Sequence, residues 1–341
     1  MSVATILITN RECPWKCVFC DLWKNTLDET VPSGAIPEQI RTALVDLPAA
    51  RWIKLYNAGS FFDPRAIPPG DVPAITDLLG SFDRVIVECH PALIDEGAGS
   101  SVIRFRDLLR TRSIGSSSPI DAPPASDTSP DNQSHLIEGA CPPQESDPTR
   151  EPIRAIASLH HPISNPAGRR PFPRLEVAMG LETVHPLALE RLNKGMTLDD
   201  FARAADVLRK SDIDLRAFVL VQPPFTPPEE AVHWALRSLD FARDQGARLV
   251  AFIPTRGGND AMEALAATGD FVPPRLSTLE EVLDRGLESS SSHGGPLVVA
   301  DLWDLERFSR CPTCFPARSA RLGRMNLSQQ VEPRIPCDCA S

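Results

Sequence analysis

The amino-acid sequence predicts an α/β fold, a partial barrel of six βα units that carries one insertion and a small C-terminal four-cysteine module. The first observation is a set of six short apolar segments without polar alternation, which is typical of strands buried in a parallel sheet. The second is that segments with apolar residues at helical spacing separate these strands. The third is an apolar content of 42% over 341 residues, which suffices for a large core.

The predicted strands and helices alternate in chain order. The strands span residues 3–9, 52–56, 84–87, 175–181, 215–221 and 248–253. The helices span residues 37–47, 72–79, 103–110, 186–193, 198–209, 228–244, 261–267 and 279–287. The first helix shows the helical pattern clearly, because Ile40, Leu44 and Leu47 fall on one face.

Capping residues mark two of the predicted helix starts. Thr197 with Asp200, and Thr226 with Glu229, each combine a hydroxyl acceptor with an acidic residue three positions later. Pro227 suits the first helical position, where its missing N–H group costs nothing. Both sites therefore predict a helix N-terminus.

Two segments interrupt the βα pattern. Residues 113–173 form an insertion in the barrel, which otherwise spans residues 1–287. Its first part, 113–150, consists mainly of Ser, Pro, Asp and Gly, so we expect disorder because it cannot bury enough apolar surface. Residues 288–295 are rich in Ser and Gly and are predicted to be a linker to a metal-binding module over residues 296–341.

Composition and charge exclude two broad classes of protein. The formal net charge of −10 argues against a protein that coats nucleic acid through bulk electrostatics, although a local basic groove is compatible with it. No apolar run approaches the ~18–20 residues that span a bilayer. The first residues lack the basic and apolar regions of a secretion signal. We therefore expect a soluble, cytoplasmic protein with no membrane partner.

Seven of the nine cysteines fall in two tight groups, which favours metal binding over a disulfide framework. The first group, Cys13, Cys17 and Cys20, directly follows the first strand. Four-iron clusters usually take four thiolates, so three would leave one coordination position open for a substrate or cofactor. A zinc site that borrows a distant ligand, and a loop of buried thiols, are the alternatives.

The second group lies in the C-terminal tail and contains Cys311, Cys314, Cys337 and Cys339. Four thiolates suit either tetrahedral zinc or an auxiliary iron–sulfur cluster. The tail between them holds four arginines, Arg318, Arg321, Arg324 and Arg334. This basic stretch in an acidic chain fits a local nucleic-acid contact or a solvated face of a small metal module.

The N-terminal motif resembles that of the radical S-adenosylmethionine (radical SAM) superfamily, because it has the CxxxCxxC spacing with Phe19 before the last cysteine. The resemblance implies a 4Fe–4S cluster held by Cys13, Cys17 and Cys20, with S-adenosylmethionine chelated at the free iron. It further implies that an electron donor such as a flavodoxin or ferredoxin drives reductive cleavage to a 5′-deoxyadenosyl radical, which abstracts hydrogen from the substrate.

The resemblance also implies a cofactor contact after the second strand. Ala58, Gly59 and Ser60 lie where the superfamily places a glycine-rich turn against the amino group of S-adenosylmethionine, and Gly59 permits close approach. The commoner Gly-Gly-Glu form is missing, and an ordinary strand-end turn is the alternative. Glu88 and His90, after the third strand, can face the barrel mouth or serve the structure alone.

The later strands resemble the branch that contains the Elongator catalytic subunit and the archaeosine synthase radical subunit. The segments that carry this resemblance are 179–185, 193–197, 221–225, 254–258 and 270–275. In that branch the fourth strand contacts the nucleoside, which makes Glu182 the candidate for the ribose hydroxyls; a salt bridge is the alternative. Gln222, Thr255 and Arg256 are expected to line the mouth of the active site.

These patterns predict a radical SAM enzyme whose substrate the sequence leaves open. The branch favours a tRNA base, whereas the acidic composition disfavours it. One alternative is a radical SAM enzyme that acts on a small molecule or peptide with an auxiliary cluster in the tail. Another is a non-catalytic zinc protein that uses both cysteine groups structurally.

Overall fold

The computed structural model describes residues 2–97, 99–112 and 172–337, and the predicted insertion lies almost wholly outside them. Seven strands in the described residues form one parallel sheet in chain order. They are β1 (Val3–Ile8), β2 (Trp52–Asn57), β3 (Arg84–Glu88), β4 (Arg174–Glu182), β5 (Asp214–Val221), β6 (Leu249–Pro254) and β7 (Leu297–Ala300). The predicted class, a partial α/β barrel, is confirmed, with one strand more than the six expected.

The described helices follow the strands as the sequence predicts. They are α1 (Ala35–Asp46), α2 (Val72–Leu79), α3 (Ser101–Arg112), α4 (Pro186–Arg191), α5 (Leu198–Lys210), α6 (Ala231–Asp244), α7 (Asp260–Thr268), α8 (Leu276–His293) and α9 (Phe315–Ser328). Short 3-10 helices span Leu22–Asn25, Pro91–Leu93, Pro228–Glu230 and Leu305–Phe308. No helix of the described residues combines the length and apolarity needed to cross a bilayer.

The main core lies between the sheet and the helices that cover it. The centre of β3 is fully buried at Val85, Ile86 and Val87, as expected for a central parallel strand. The helices contribute large side chains such as Phe105 and Phe201, which are also fully buried. This packing fixes the carboxyl ends of the strands, where the candidate site lies.

Ion pairs close the opposite, amino-terminal end of the sheet. Arg84 Nη1 donates to Glu176 at 2.7 Å and to Asp214 at 2.6 Å, and Arg216 Nε donates to Glu176 at 2.6 Å. All four side chains are buried. The arginines outweigh the effect of burial and hold the pKa of the Glu176 carboxyl below its usual range. The base of the barrel is therefore a charged layer that stays ionised.

The predicted linker over residues 288–295 is wrong. The serines of this segment belong to α8, which ends only at Gly294 in the left-handed conformation, φ 58°. The next residues form β7, which pairs with β6 instead of starting a separate module. Serine is only modestly unfavourable in helices, so packing against the sheet decides the conformation here.

The Thr197 capping box is confirmed, but the cap predicted at Thr226 is wrong. Pro228 restricts the residue before it, so Pro227 is extended, with ψ 142°, and a 3-10 turn precedes α6. Thr226 is thereby separated from the helix, and its buried hydroxyl has no hydrogen-bond partner in the described part of the chain. The helix proper begins at Ala231, three residues later than predicted.

Candidate active site

A cavity of about 680 Å³ opens at the carboxyl ends of the strands. All three cysteines of the N-terminal motif line it, together with the last residues of β2, β3, β4 and β6. This is the edge at which βα barrels carry their active sites. The volume is within the usual range of small-molecule sites.

The cysteine loop is held from across the barrel by the segment after α4. Val18 N–H donates to Leu192 O at 3.1 Å, and Asn193 Nδ2 donates to Lys16 O at 2.8 Å. Asn259, at the start of α7, also donates to Val18 O, at 3.2 Å. These bonds fix the loop through its backbone and leave the cysteine side chains free to face the cavity.

Trp15, within the cysteine motif, is clamped between His90 and Gly195. Its ring stacks on His90 with centroids 3.7 Å apart, and a Cβ at position 195 would lie 2.7 Å from its Cδ1. His90 Nδ1 accepts from Ala92 N–H at 3.1 Å, so Nε2 carries the proton and donates to Lys194 O at 2.9 Å. Burial lowers the pKa of His90 to about 4. His90 is therefore a neutral ring that uses both nitrogens within the protein.

Glu182 ends β4 at a bulge and has a left-handed backbone, φ 62°. Its Oε1 accepts from Lys194 Nζ at 2.6 Å; the Glu182 side chain is buried, and that of Lys194 is nearly so. A Cβ at Gly180 would lie 2.0 Å from Glu182 Oε1, so only glycine leaves room for this pair. Burial lowers the pKa of Lys194, but the Glu182 carboxylate holds it above its usual value.

The thiols of Cys13, Cys17 and Cys20 lie in a buried environment. Burial raises the pKa of all three, that of Cys17 to about 12. Without a metal these thiols hold their protons at neutral pH, and a metal that binds must displace them. The Lys194 ammonium lowers the pKa of each and is a nearby positive charge that favours thiolate.

The turn after β2 lines the cavity as the resemblance implies. A Cβ at Gly59 would lie 3.1 Å from Arg11 O, and Ala58 also lines the space. The hydroxyl of Ser60 already forms a hydrogen bond within the protein, because its Oγ accepts from His90 N–H at 2.9 Å.

Asn57, just before this turn, is a cavity residue that sequence reasoning missed. Its side chain is 6% exposed, and neither amide atom has a hydrogen-bond partner in the described chain. An unsatisfied buried amide costs about 1–3 kcal/mol, which points to a ligand that completes it. The only sequence signal was its place at the end of a strand.

Deeper in the cavity lie polar strand residues that carry no hydrogen bond or ion pair among the described residues: Lys54, Tyr56 and Glu88. Burial lowers the pKa of Lys54 to about 8 and raises that of Glu88 to about 7. Arg216, whose Nε is held by Glu176, lines the same region. The base of the cavity therefore offers charged groups to a bound molecule.

Of the three residues expected at the mouth of the active site, two line the cavity and one does not. Gln222 does not line the cavity, so its predicted role is wrong: its Nε2 donates to Val272 O at 2.6 Å in a buried position. Thr255 does line it. Arg256 lines it as well and is paired with Asp301 at 2.7 Å.

The C-terminal cysteines converge as the sequence predicts. The Sγ atoms of Cys311, Cys314 and Cys337 all lie within 4.8 Å of one another, and those of Cys311 and Cys337 are 3.9 Å apart. Cys339 lies outside the described residues. This is a compact set of soft ligands that suits a metal ion.

The four arginines of the tail divide into two buried residues and two exposed ones, and all four form ion pairs. Arg318 and Arg321 are buried and pair with acidic residues of α8. Arg324 is paired with Glu332 and Arg334 with Asp284. All four charges are thus engaged within the chain.

Comparison with known proteins found relatives over most of this chain, although no protein-family model matches it. An uncharacterised protein of Methanocaldococcus jannaschii is 24% identical and covers 98% of this chain and 79% of that protein. The archaeosine synthase beta subunit of Methanosarcina acetivorans is 29% identical over 136 residues. That match covers 40% of this chain and about a third (36%) of the subunit.

Among solved structures, SuiB of Streptococcus suis bound to S-adenosylmethionine has a TM-score of 0.51 at 9% identity. The match covers 88% of this chain and 51% of SuiB, and it shows a shared fold. The likeness to SuiB shows the class of fold that the sequence resemblance implies, and the archaeosine synthase beta subunit is a relative over part of the chain.

Proposed function

We propose, from this radical SAM fold, that the chain is an enzyme that cleaves S-adenosylmethionine reductively and uses the cleavage to modify a substrate bound in the same cavity. Cys13, Cys17 and Cys20 would hold a 4Fe–4S cluster. The observation that carries the proposal is that these three thiols share one cavity with a glycine turn and an unsatisfied Asn57. When bound there, the cluster and S-adenosylmethionine supply a carbon radical that removes hydrogen from the substrate.

The donor set fits a cluster better than a single ion. A tetrahedral ion with metal–sulfur bonds of ~2.3 Å requires its sulfurs to lie about 3.8 Å apart. Cys13, Cys17 and Cys20 face one cavity but do not all lie within 4.8 Å of one another, in contrast to the C-terminal group. Thiolates that bind separate irons need no such convergence.

The chain's own residues would position the cofactors and exclude water. Lys194 places a positive charge beside the thiolates, while Glu182 holds that ammonium through one oxygen. The other oxygen of Glu182 has no hydrogen bond among the described residues, which supports its proposed contact with the ribose. Asn57 would complete its amide bonds with the polar end of S-adenosylmethionine, next to Ala58 and Gly59. An electron donor such as a flavodoxin or ferredoxin would supply the electron.

A tRNA base is the substrate class suggested by the archaeosine synthase relative. A small molecule is the second candidate, and a specific observation favours it. Arg318 and Arg321 of the tail are buried in ion pairs, whereas the side chains of Lys54 and Glu88 in the cavity have no hydrogen bond or ion pair among the described residues. A small substrate with an ionic or strongly polar group would satisfy them.

Anaerobic reconstitution tests this proposal. We expect about four irons and four sulfides per chain bound at the first group, and an electron paramagnetic resonance signal of the reduced cluster that changes when S-adenosylmethionine is added. A variant with Cys13, Cys17 and Cys20 replaced by Ala should lose both the iron and the signal. Zinc at the first group, with no iron or sulfide after reconstitution, would overturn the proposal.

A further inference from the structure

We propose that the C-terminal cysteines hold a single zinc ion, and that this ion fastens α9 to the barrel through Arg318 and Arg321. The proposal is independent of the function proposed above, because it concerns a second group of cysteines, whose described members do not line the cavity that holds the first group. It also decides between the two metal centres that the sequence leaves open.

The sulfur geometry fits one ion. Cys311 Sγ and Cys337 Sγ are 3.9 Å apart, close to the ~3.8 Å edge of a tetrahedron with zinc–sulfur bonds of ~2.3 Å. Cys314 Sγ lies within 4.8 Å of both. An iron–sulfur cube would hold each thiolate on a separate iron and would not fit between sulfurs this close. Cys339, two positions after Cys337, offers a fourth thiolate in the sequence.

The ion would join the start of α9 to the segment that follows the helix. Cys314 immediately precedes the helix, and Cys337 lies beyond its C-terminal end. Cys314 O accepts from Arg318 N–H at 3.0 Å in the first helical turn. A thiolate at a helix N-terminus is favoured by the helix dipole. A metal bond between Cys314 and Cys337 closes a loop of the chain that includes α9, and this loop lowers the conformational entropy of the unfolded state.

Arg318 connects the sulfurs to the barrel. Its Nη1 lies 4.0 Å from Cys314 Sγ, and its Nε donates to both oxygens of Glu280 at 3.1 Å. Arg318 and Glu280 are both buried, and Glu280 lies on α8. Charged groups that contact a metal ligand in this way orient the ligand and change the affinity of the site for its metal.

Arg321 brings the third cysteine into place. It is fully buried, and its Nη2 donates to Asp284 of α8 and to Glu332 O, both at 2.6 Å. Its Nε also donates to Pro333 O at 3.0 Å. The segment that leads to Cys337 is therefore held against α8 and α9 by one guanidinium.

The helix that the ion fastens covers the edge of the sheet. Asn326 of α9 exchanges two hydrogen bonds of 2.8 Å with the backbone of Ala300 in β7. Gln329 does the same for Val298, at 2.8 and 2.9 Å. These amides satisfy an edge strand that would otherwise present unpaired groups. Loss of the ion should therefore loosen α9 and expose the edge of β7.

The test separates the two metal sites. In full-length protein with Cys13, Cys17 and Cys20 replaced by Ala, we expect one zinc per chain and no iron or sulfide after anaerobic reconstitution. Replacing zinc by Co²⁺ should give the intense thiolate-to-cobalt absorption of a sulfur-rich site. Iron and sulfide retained by this variant would overturn the proposal in favour of an auxiliary cluster.

Matched serine variants test the structural role. Cys337→Ser with Cys339→Ser should lose the zinc, lower Tm by several degrees and aggregate more readily, whereas Cys141→Ser, outside both groups, should match the wild type. Hydrogen exchange of intact protein treated with a zinc chelator should increase in α9 and β7. An unchanged Tm and unchanged exchange after loss of the zinc would contradict the fastening role.

Discussion

A single buried polar side chain at the end of β2, that of Asn57, indicates a cofactor site. Asn57 is buried at the cavity wall with both amide atoms unpaired. Such a group destabilises the free protein and is retained where a ligand later satisfies it. Stability and binding should therefore respond to its removal in opposite directions.

Asn57→Ala is expected to leave the free protein as stable as the wild type or more stable, because it removes an unsatisfied amide. It should weaken binding of S-adenosylmethionine about tenfold, since one hydrogen bond of ~1–1.5 kcal/mol is lost. Thermal unfolding and calorimetric titration of the reconstituted protein measure both. Asn10→Ala is the control: it also has an unpaired oxygen but does not line the cavity. Weaker binding in the control alone would contradict the assignment.

Lys194 is the second residue on which the site depends. Lys194→Met leaves Glu182 as a buried carboxylate without its ammonium, which typically costs about 3–5 kcal/mol. Adding Glu182→Gln should restore most of the stability but not the rate of S-adenosylmethionine cleavage, because the positive charge beside the thiols and the carboxylate proposed to contact the ribose are both missing. Tm and cleavage rate of the single and double variants test this. A single variant with wild-type stability would show that the pair is not coupled.

His90 predicts how stability depends on pH. Its folded pKa is lowered to about 4 from 6.5, so between these values the unfolded chain binds the extra proton. The contribution of neutral His90 to the free energy of unfolding is complete above pH 6.5. This contribution falls by at most about 3 kcal/mol as the pH decreases toward 4. Urea unfolding of wild type and His90→Gln at pH 7 and 5 measures it. Equal losses in both proteins would contradict the role given to His90.

At the scale of elements, the regular parts of the chain follow from apolar periodicity. The strand ends and the helix over Val72–Leu79 match the sequence prediction closely, since local pattern and tertiary burial agree there. The prediction failed where long-range packing decided. The serine-rich end of α8 is helical because it packs beneath β7, and four apolar residues at the start of the predicted C-terminal module form an edge strand.

Ser291 provides a test of this helix. It is exposed near the end of α8, so Ser291→Ala and Ser291→Gly should differ in stability by up to about 1 kcal/mol, the alanine–glycine difference in helices. In a flexible linker the two substitutions would be nearly equivalent. Thermal unfolding of the two variants side by side makes the comparison, with the wild type between them. Indistinguishable Tm values would favour the linker.

At the scale of the whole molecule, the barrel has a charged base and a sulfur-lined mouth. The base consists of arginine–carboxylate pairs such as Arg84 with Glu176, and the mouth carries the cysteine loop. The three cysteines were predictable because a local motif carries them. Lys194 and Asn57 were not, because their importance comes from residues far apart in the chain meeting across the cavity. Gln222 was misplaced for the same reason, since its partner, Val272, is 50 positions away.

The central claim is that the three N-terminal thiols support reductive cleavage of S-adenosylmethionine. The most direct measurement is the yield of 5′-deoxyadenosine after anaerobic reconstitution and reduction with dithionite. Wild type and Cys141→Ala should form it, and Cys17→Ala should form none above background while its circular dichroism stays that of a folded barrel. Equal yields from Cys17→Ala and wild type would contradict the account.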